Sequence, residues 1–87
     1  NYKKGDTEGF VNIPLGLKGI NFSAFFIEFK DGVKISFRSK GLFDVNIFAK
    51  KHFNGGGHKN AAGGILLEYD MKSAILYFEN IIMKKEI

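Results

Sequence analysis

The chain has 87 residues, which is enough for one small domain and excludes a two-domain enzyme. With 45% hydrophobic residues and ten Phe, the chain can bury a core. Because it has no Cys, it has neither a disulfide framework nor a thiolate metal site, and a reducing cytoplasm is the simplest setting. The net charge of +4 is concentrated in residues 1–60, which hold ten basic and five acidic side chains, and this surplus favours an anionic ligand.

The first 19 residues predict little regular structure, because four glycines and one proline interrupt them. We expect a lead-in with at most a short helical turn after Thr7. Since the sequence opens with Asn1 rather than Met, we also expect it to be a segment of a longer protein.

The next segment predicts a β-hairpin. The run INFSAFFIEF at 20–29 has aromatic and branched side chains on both parities, which is typical of a strand covered on both faces. Asp31-Gly32 favours a two-residue turn with positive φ, and VKISFRS at 33–39 then alternates between apolar and polar residues. The polar face of that second strand, which carries Arg38, is expected to be free to meet a ligand.

The rest of the chain predicts two helices around another strand. Asp44 is the expected N-cap of a helix that ends at Gly55, and Asp70 is the expected N-cap of a final helix. ILLEY at 65–69 predicts a buried strand between them. The apolar stripe of the final helix is formed by Met71, Ala74, Ile75, Phe78 and Ile82. The chain is therefore expected to be a single domain of the α/β (α+β) class, with a small mixed sheet built on the hairpin and helices packed on it.

The segment GGGHKNAAGG, residues 55–64, is the most informative for chemistry. Three consecutive glycines cost backbone entropy and add nothing to a core, so they indicate positive φ or a close approach of the backbone to a ligand. His58 and Lys59 follow, and residues 60–62 can begin a helical turn with free N–H groups, so the segment can cradle a phosphate. Alternatively, Gly55 is a left-handed helix cap and the other glycines form a flexible loop.

Other site types are disfavoured by the residues present. The segment lacks the GxxxxGK[ST] of a Walker loop, and a dinucleotide GxGxxG needs Gly where Asn60 stands. His52 and His58 could be considered as metal ligands, but the chain has no Cys to complete a ligand set, and its carboxylates are scattered along the sequence. Arg38 is the only Arg and lies on a polar strand face, where it is either a phosphate ligand or a solvated side chain.

Four stretches together resemble the C-terminal DHH-associated domain of DHH-family phosphoesterases. They are TEGFVNIPLGLKGI, VKISFRSKG, FDVNIFAKKH and GGGHKNAAGG, and the last is the most specific to the family. The family includes RecJ-like exonucleases, nanoRNases, nucleotide phosphatases and related exopolyphosphatases. The chain is more similar to the nanoRNase and 3′-phosphoadenosine-5′-phosphate phosphatase branch than to the long RecJ form.

The resemblance implies which residues bind substrate. The glycine-rich loop and its histidine contact substrate phosphate in this family, and the strand arginine helps to hold the nucleotide. The residues at the matching positions of this chain are Arg38, Ser39, Gly55, Gly56, Gly57, His58, Lys59 and Asn60. The whole chain, 1–87, is then a substrate-binding domain for short oligoribonucleotides or nucleotide phosphates.

The resemblance also implies that catalysis resides elsewhere. The catalytic metal cluster, with Mn or Mg, belongs to an N-terminal DHH domain of the same polypeptide, and this chain has no adjacent His pair. We expect this chain to bind no cofactor itself. We also expect a cytoplasmic location and association into a homo-oligomer. No membrane partner is expected, since no apolar run approaches the ~20 residues of a span.

Three alternatives remain open. Gly16-Leu17-Lys18-Gly19 has the GXXG pattern of KH domains, so the chain could be a stand-alone single-stranded nucleic-acid-binding module whose Phe residues stack bases. Against this, a KH loop joins two helices, whereas the expected strand follows here at once. The exposed Phe set and the final helix could instead form an oligomer interface. DHH-associated domains also occur in alanyl-tRNA synthetases, which leaves an accessory tRNA-related role.

Overall fold

The computed structural model describes residues 8–14 and 21–84, which form one antiparallel sheet and two helices. The elements in chain order are β1 (Glu8–Pro14), β2 (Asn21–Phe29), β3 (Gly32–Lys40), α1 (Val45–His52), β4 (Gly56–His58), β5 (Ala61–Leu67) and α2 (Met71–Met83). The strand order across the sheet is β1-β2-β3-β5-β4. The α+β class is confirmed, although every pairing among the described strands is antiparallel, where a mixed sheet was expected.

The strand β1 replaces the expected lead-in and helical turn, so that prediction is wrong. It pairs with β2 over its whole length, from Glu8 opposite Ile27 to Pro14 opposite Asn21. Val11 packs against the core, while the residues on either side of it are exposed. The proline is tolerated because it occupies the last position of an edge strand. The KH-like motif at 16–19 lies outside the described residues.

The β2–β3 hairpin is confirmed, but its turn is one residue earlier than expected. Phe29 pairs with Gly32, so the two turn residues are Lys30 and Asp31. Gly32 lies within the strand, where its backbone is so close to Leu66 that an added Cβ would overlap the Leu66 carbonyl oxygen. The glycine is therefore explained by strand packing rather than by a turn with positive φ.

Both helices pack on the same face of the sheet, and a core of Phe side chains lies between them and the strands. On that face the ring of Phe22 contacts the rings of Phe48 from α1 and Phe78 from α2, at centroid distances of 5.0 and 5.6 Å. The buried core is Phe22, Ala24, Phe26, Val33, Ile35, Phe37, Val45, Phe48, Ala49, Phe53, Ala62, Leu66, Ala74, Phe78 and Ile81. We call the other side of the sheet the open face. Its β2 side chains are half-buried or exposed, so the expected burial of β2 on both faces is wrong.

The helices begin where their caps predict. The Asp44 side chain accepts from the backbone N–H of Ile47 at 3.0 Å, and Asp70 forms a capping box with Ser73. Helix α1 ends earlier than expected, at His52, and the residue with left-handed φ after it is Asn54 rather than Gly55. In α2, the expected stripe residue Ile82 is half-buried and packs against the core, and Ile81 is buried beside it. Neither described helix is long and apolar enough to cross a membrane.

The glycine-rich segment is a β-hairpin, so neither the flexible loop nor the helical turn at residues 60–62 is present. Strand β4 pairs with the start of β5, from Gly56 opposite Gly63 to His58 opposite Ala61. Strand β5 therefore begins four residues before the expected 65–69 and ends at Leu67. This hairpin forms the edge of the sheet next to the end of β3 that carries Arg38.

Candidate functional site

One register row of the sheet contains two of the predicted site residues, Arg38 and His58. Asn12, Ser23, Arg38, Ala61 and His58 are directly opposite one another across the five strands. Residues paired in this way on regular strands project to the same side of a sheet. Arg38 therefore lies on the open face with Ser23 beside it, and His58 stands two strands away with Ala61 between them.

A cavity of about 360 Å³ surrounds Arg38 at this end of the sheet. Its lining residues are Asn12, Asn21, Ser23, Arg38, Ser39, Lys40 and Asn60. Two of them are cations, three carry amides and two carry hydroxyls, and none of the lining residues is acidic. Amide, hydroxyl and guanidinium groups all donate hydrogen bonds to oxygen, so the cavity suits an oxyanion.

The Arg38 side chain is exposed at the rim of this cavity. Its Nη1 donates to the carbonyl oxygen of Phe37 at 2.9 Å, which ties the guanidinium end of the side chain to the neighbouring backbone. A guanidinium has five N–H donors, so within the described residues this bond leaves donors for a ligand. The side chain is thus placed to offer a two-pronged contact to a phosphate.

Ser39 and Asn60 hold the neighbouring backbone in place. Asn60 Nδ2 donates to Ser39 Oγ at 2.8 Å and to the carbonyl oxygen of Gly41 at 3.2 Å. Ser39 Oγ donates in turn to the carbonyl oxygen of Phe43 at 2.8 Å, and the Ser39 N–H donates to the Asn60 carbonyl at 3.1 Å. These bonds tie the turn of the β4–β5 hairpin to the end of β3. Both residues line the cavity, and their contacts are those of a scaffold.

The three glycines do not line the cavity. The Gly55 N–H donates to the Ala49 carbonyl at 3.1 Å, and the Gly57 N–H donates to Asn46 Oδ1 at 2.8 Å. An added Cβ would overlap the Gly63 carbonyl oxygen at Gly55, and at Gly57, where φ is +155°, it would lie 2.7 Å from the Ala61 carbonyl oxygen. Close packing of β4 on β5 and α1 therefore explains the glycines, and two of their N–H groups already have acceptors inside the protein.

His58 and Lys59 are exposed at the tip of this hairpin. His58 is in the Arg38 register row but is not among the cavity's lining residues. Since neighbouring strands are ~4.8 Å apart, the two Cα positions are separated by about 10 Å. A ligand of nucleotide size can span that distance. The Lys59 carbonyl oxygen accepts from the Val45 N–H at 2.7 Å, which anchors the tip to the start of α1.

Sequence reasoning missed the residues that other elements contribute. Asn12 and Asn21 line the cavity from β1 and the start of β2, Ser23 and Lys40 complete its open-face side, and Asn46 of α1 holds Gly57. Ser23 could have been found only in part: it is a polar residue in the aromatic strand of the predicted hairpin, but its pairing with Arg38 follows from the observed register. Asn12 could not be found in this way, since β1 itself was not predicted.

The positive charges and hydrogen-bond donors around Arg38 are of the kind that suits an anion. Within residues 8–14 and 21–84, no group of three or more His, Asp or Glu side chains is placed to hold a metal ion. That this chain binds the substrate while a separate DHH domain binds the catalytic metals stays a prediction.

The comparison with known families gives a match over nearly the whole chain. The model of the DHHA1 domain matches residues 1–84. This is the DHH-associated domain that the four sequence stretches resemble, so the family prediction is confirmed. No solved structure matches the chain significantly.

Two curated relatives carry the same name. The chain is 40% identical over 60 residues to the bifunctional oligoribonuclease and PAP phosphatase NrnA of Bacillus subtilis, covering 69% of this chain and 18% of that protein. It is 36% identical over 69 residues to the bifunctional oligoribonuclease and PAP phosphatase NrnA of Thermus thermophilus, covering 79% of this chain and 21% of that protein. The chain thus matches about a fifth of the length of each relative.

Proposed function

This chain belongs to the DHHA1 domain family, and on that premise we propose that it holds the phosphate groups of a short oligoribonucleotide or nucleotide phosphate. Hydrolysis of the phosphoester is then carried out by a DHH catalytic domain of the same polypeptide. The observation that carries the proposal is the cavity around Arg38, which has two cations and no acidic residue in its lining. The names of the two curated relatives support this class of substrate.

The binding chemistry follows from the residue types in the cavity. The Arg38 guanidinium pairs with two phosphate oxygens at once, while Lys40 adds a second positive charge at the same end of the sheet. Amide and hydroxyl donors such as Asn12 and Ser23 fill the remaining acceptor sites of the phosphate. His58, at the far end of the register row, contacts the next phosphate or the sugar of the same ligand.

The contribution to catalysis is positional. A phosphate held at Arg38 has already lost most of its translational and rotational freedom. Because this entropy cost is met on binding, it no longer adds to the activation barrier of the reaction. The Mn or Mg ions that the family implies would be bound by the DHH domain, where they activate water. The side chains of this chain orient the phosphate and stabilise its charge.

Replacing Arg38 tests the proposal most directly. In the complete polypeptide that contains this chain, with a chelator present to prevent hydrolysis, we expect Arg38→Gln to raise the Kd for a 5′-phosphorylated trinucleotide by about tenfold to a hundredfold. The dependence of log K on log salt should also become shallower by about one phosphate contact.

A matched control removes the same charge from the other side of the molecule. Lys72 is exposed on α2, on the helical face of the sheet, so Lys72→Gln changes the net charge equally without touching the cavity. We expect its Kd and salt dependence to stay at the wild-type values. Equal losses in both variants would show that only the overall charge matters, and no loss with Arg38→Gln would overturn the proposal.

His58 is tested by turnover rather than by affinity. We expect His58→Ala in the complete polypeptide to lower kcat/KM for short oligoribonucleotides by about tenfold to a thousandfold, the range for one contact to a charged group that tightens in the transition state. The measurement is initial rates with metal present. Unchanged turnover would remove His58 from the site while leaving the Arg38 cavity in place.

A further inference from the structure

An aromatic pair stands next to the Arg38 row on the open face. Phe10 of β1 is directly opposite Phe25 of β2, one same-face row away from Asn12, Ser23 and Arg38. Phe10 is 65% exposed and Phe25 is half-buried, although the domain packs most of its Phe residues into the core on the other face. The phosphate-binding cavity does not account for this pair.

Small residues lie beside the Phe25 ring on the side away from Phe10. Ser36 of β3 is directly opposite Phe25, and Gly63 of β5 is directly opposite Ser36. Both are half-buried on a face that no helix covers. The sheet surface is therefore low next to Phe25, and a flat ring of about the same size has room there.

The pair is also within reach of Arg38. Arg38 is two residues beyond Ser36 on β3, which makes it the diagonal neighbour of Phe25. Such neighbours are about 7–8 Å apart, which long and aromatic side chains can bridge. The base of a nucleotide lies at a similar distance from its phosphate, so one nucleotide can contact both residues.

We propose that Phe25, supported by Phe10, stacks the base of the nucleotide whose phosphate Arg38 holds. This inference rests on the proposed function and adds the recognition of a base to that of a phosphate. Stacking on an aromatic ring is tolerant of sequence, because every base has a π-face. The platform therefore distinguishes ligands that carry a base from those that carry only phosphate.

The test compares two probes on the complete polypeptide, with a chelator present. One probe is a 5′-phosphorylated dinucleotide with 2-aminopurine as its first base, and the other is the same compound with an abasic first residue. We expect Phe25→Leu to raise the Kd for the first probe by about tenfold and to leave the second unchanged. The 2-aminopurine fluorescence, which stacking quenches in wild type, should recover, and Phe25→Tyr should restore both readouts.

Two further variants protect the test against misfolding. Phe29 is half-buried on the same face of β2, four residues from the platform, so Phe29→Leu makes the same chemical change elsewhere and should behave as wild type. Phe10→Ala removes an exposed ring and should weaken binding of the first probe alone. This second variant keeps the test decisive if Phe25→Leu lowers the melting temperature strongly.

The outcomes separate the two proposals. Equal weakening of both probes by Phe25→Leu, or no weakening of either, overturns the stacking platform and leaves the Arg38 site standing. A selective loss with Phe25→Leu, combined with no effect of Arg38→Gln on either probe, supports the platform and overturns the phosphate site. A wild-type protein that binds both probes equally tightly also overturns the platform, since it gains nothing from the base.

Discussion

Gly55, which stands just before β4, lies next to Gly63 of β5, but the space available for an added methyl group differs between the two positions. At Gly55 it would overlap the carbonyl oxygen of Gly63, which is a backbone atom held in the sheet. At Gly63 it would lie 3.1 Å from the Ile35 carbonyl oxygen and near no other described atom. A methyl group is excluded at Gly55, whereas at Gly63 it requires a shift of only a few tenths of an ångström.

This difference gives a direct stability test. We expect Gly55→Ala to lower the free energy of unfolding by about 2–3 kcal/mol, because the hairpin must move away from β5 to admit the methyl group. Gly63→Ala should cost less than about 1 kcal/mol. Urea denaturation of both variants measures the values. Similar costs at the two positions would contradict the close approach at Gly55.

The same residues show what sequence alone can reach. Three consecutive glycines and His58 identify the family segment, and they indicate that the backbone there needs unusual geometry. The sequence does not distinguish a backbone pressed against a phosphate from one pressed against Gly63, because both exclude a Cβ. Only the way β4 packs on β5 shows that the Gly55 backbone lies against Gly63.

At the scale of elements, local signals predicted the helices well and β1 poorly. Asp44 and Asp70 stand immediately before apolar helical patterns, so the caps locate α1 and α2 directly. Strand β1 alternates between half-buried and exposed residues, but Gly9 and Pro14 obscure the pattern. Its identity as a strand depends on pairing with β2, which is information that the segment itself does not contain.

The two helices are joined at one end by Tyr77. Its hydroxyl donates to the carbonyl oxygen of His52, in the last turn of α1, at 2.8 Å. Burial raises the pKa of Tyr77 above its ordinary value of 10.0, and the nearby Tyr69 adds to the shift. The folded state therefore holds the phenolic proton more tightly than the unfolded state does.

The sign of the resulting pH dependence can be tested with Tyr77→Phe. The stabilisation due to the hydroxyl is fully present below pH 10.0 and is lost as the pH rises through the raised pKa, because the unfolded chain releases the proton first. At pH 8 we expect wild type to be more stable than Tyr77→Phe by about 1 kcal/mol, and the gap should narrow as the pH rises above 10.0. A gap that stays constant would refute the linkage. Guanidinium denaturation at each pH provides the measurement.

For the whole molecule, stability depends on a few large rings. Phe22 lies at the centre of the core, where its ring contacts Phe43 at 4.6 Å and Phe37 at 5.9 Å, in addition to rings from both helices. Native domains are stable by only about 5–15 kcal/mol, because large opposing free energies nearly cancel. The loss of one such ring therefore removes a large part of the total stability.

We expect Phe22→Ala to lower the free energy of unfolding by about 3–5 kcal/mol and the melting temperature by more than about 10 °C. Leu42 is 78% exposed in the turn after β3, so Leu42→Ala should change stability by less than about 0.5 kcal/mol. Circular dichroism during thermal melting compares the two. A cooperative transition in Phe22→Ala close to that of wild type would contradict the central position of this ring.

The candidate site is a property of the whole sheet, which explains why sequence reasoning found only part of it. Arg38 was found because its strand alternates and it is the only Arg. Asn21 lies on β2, and its position near Arg38 depends on the observed β2–β3 register, which the expected turn did not give. Asn12 lies on β1, and its position depends on the β1–β2 register as well.

The placement of both helices on one side of the sheet also has an evolutionary consequence. Neighbouring residues of β2 and β3 alternate between the core and the ligand side, so a point substitution such as one at Ser23 can change ligand preference while the fold is preserved. A one-residue insertion in either strand would instead exchange the two sides, putting Arg38 into the interior and Phe37 into water. Homologues of this chain should therefore vary more in the open-face side chains of these strands than in strand length.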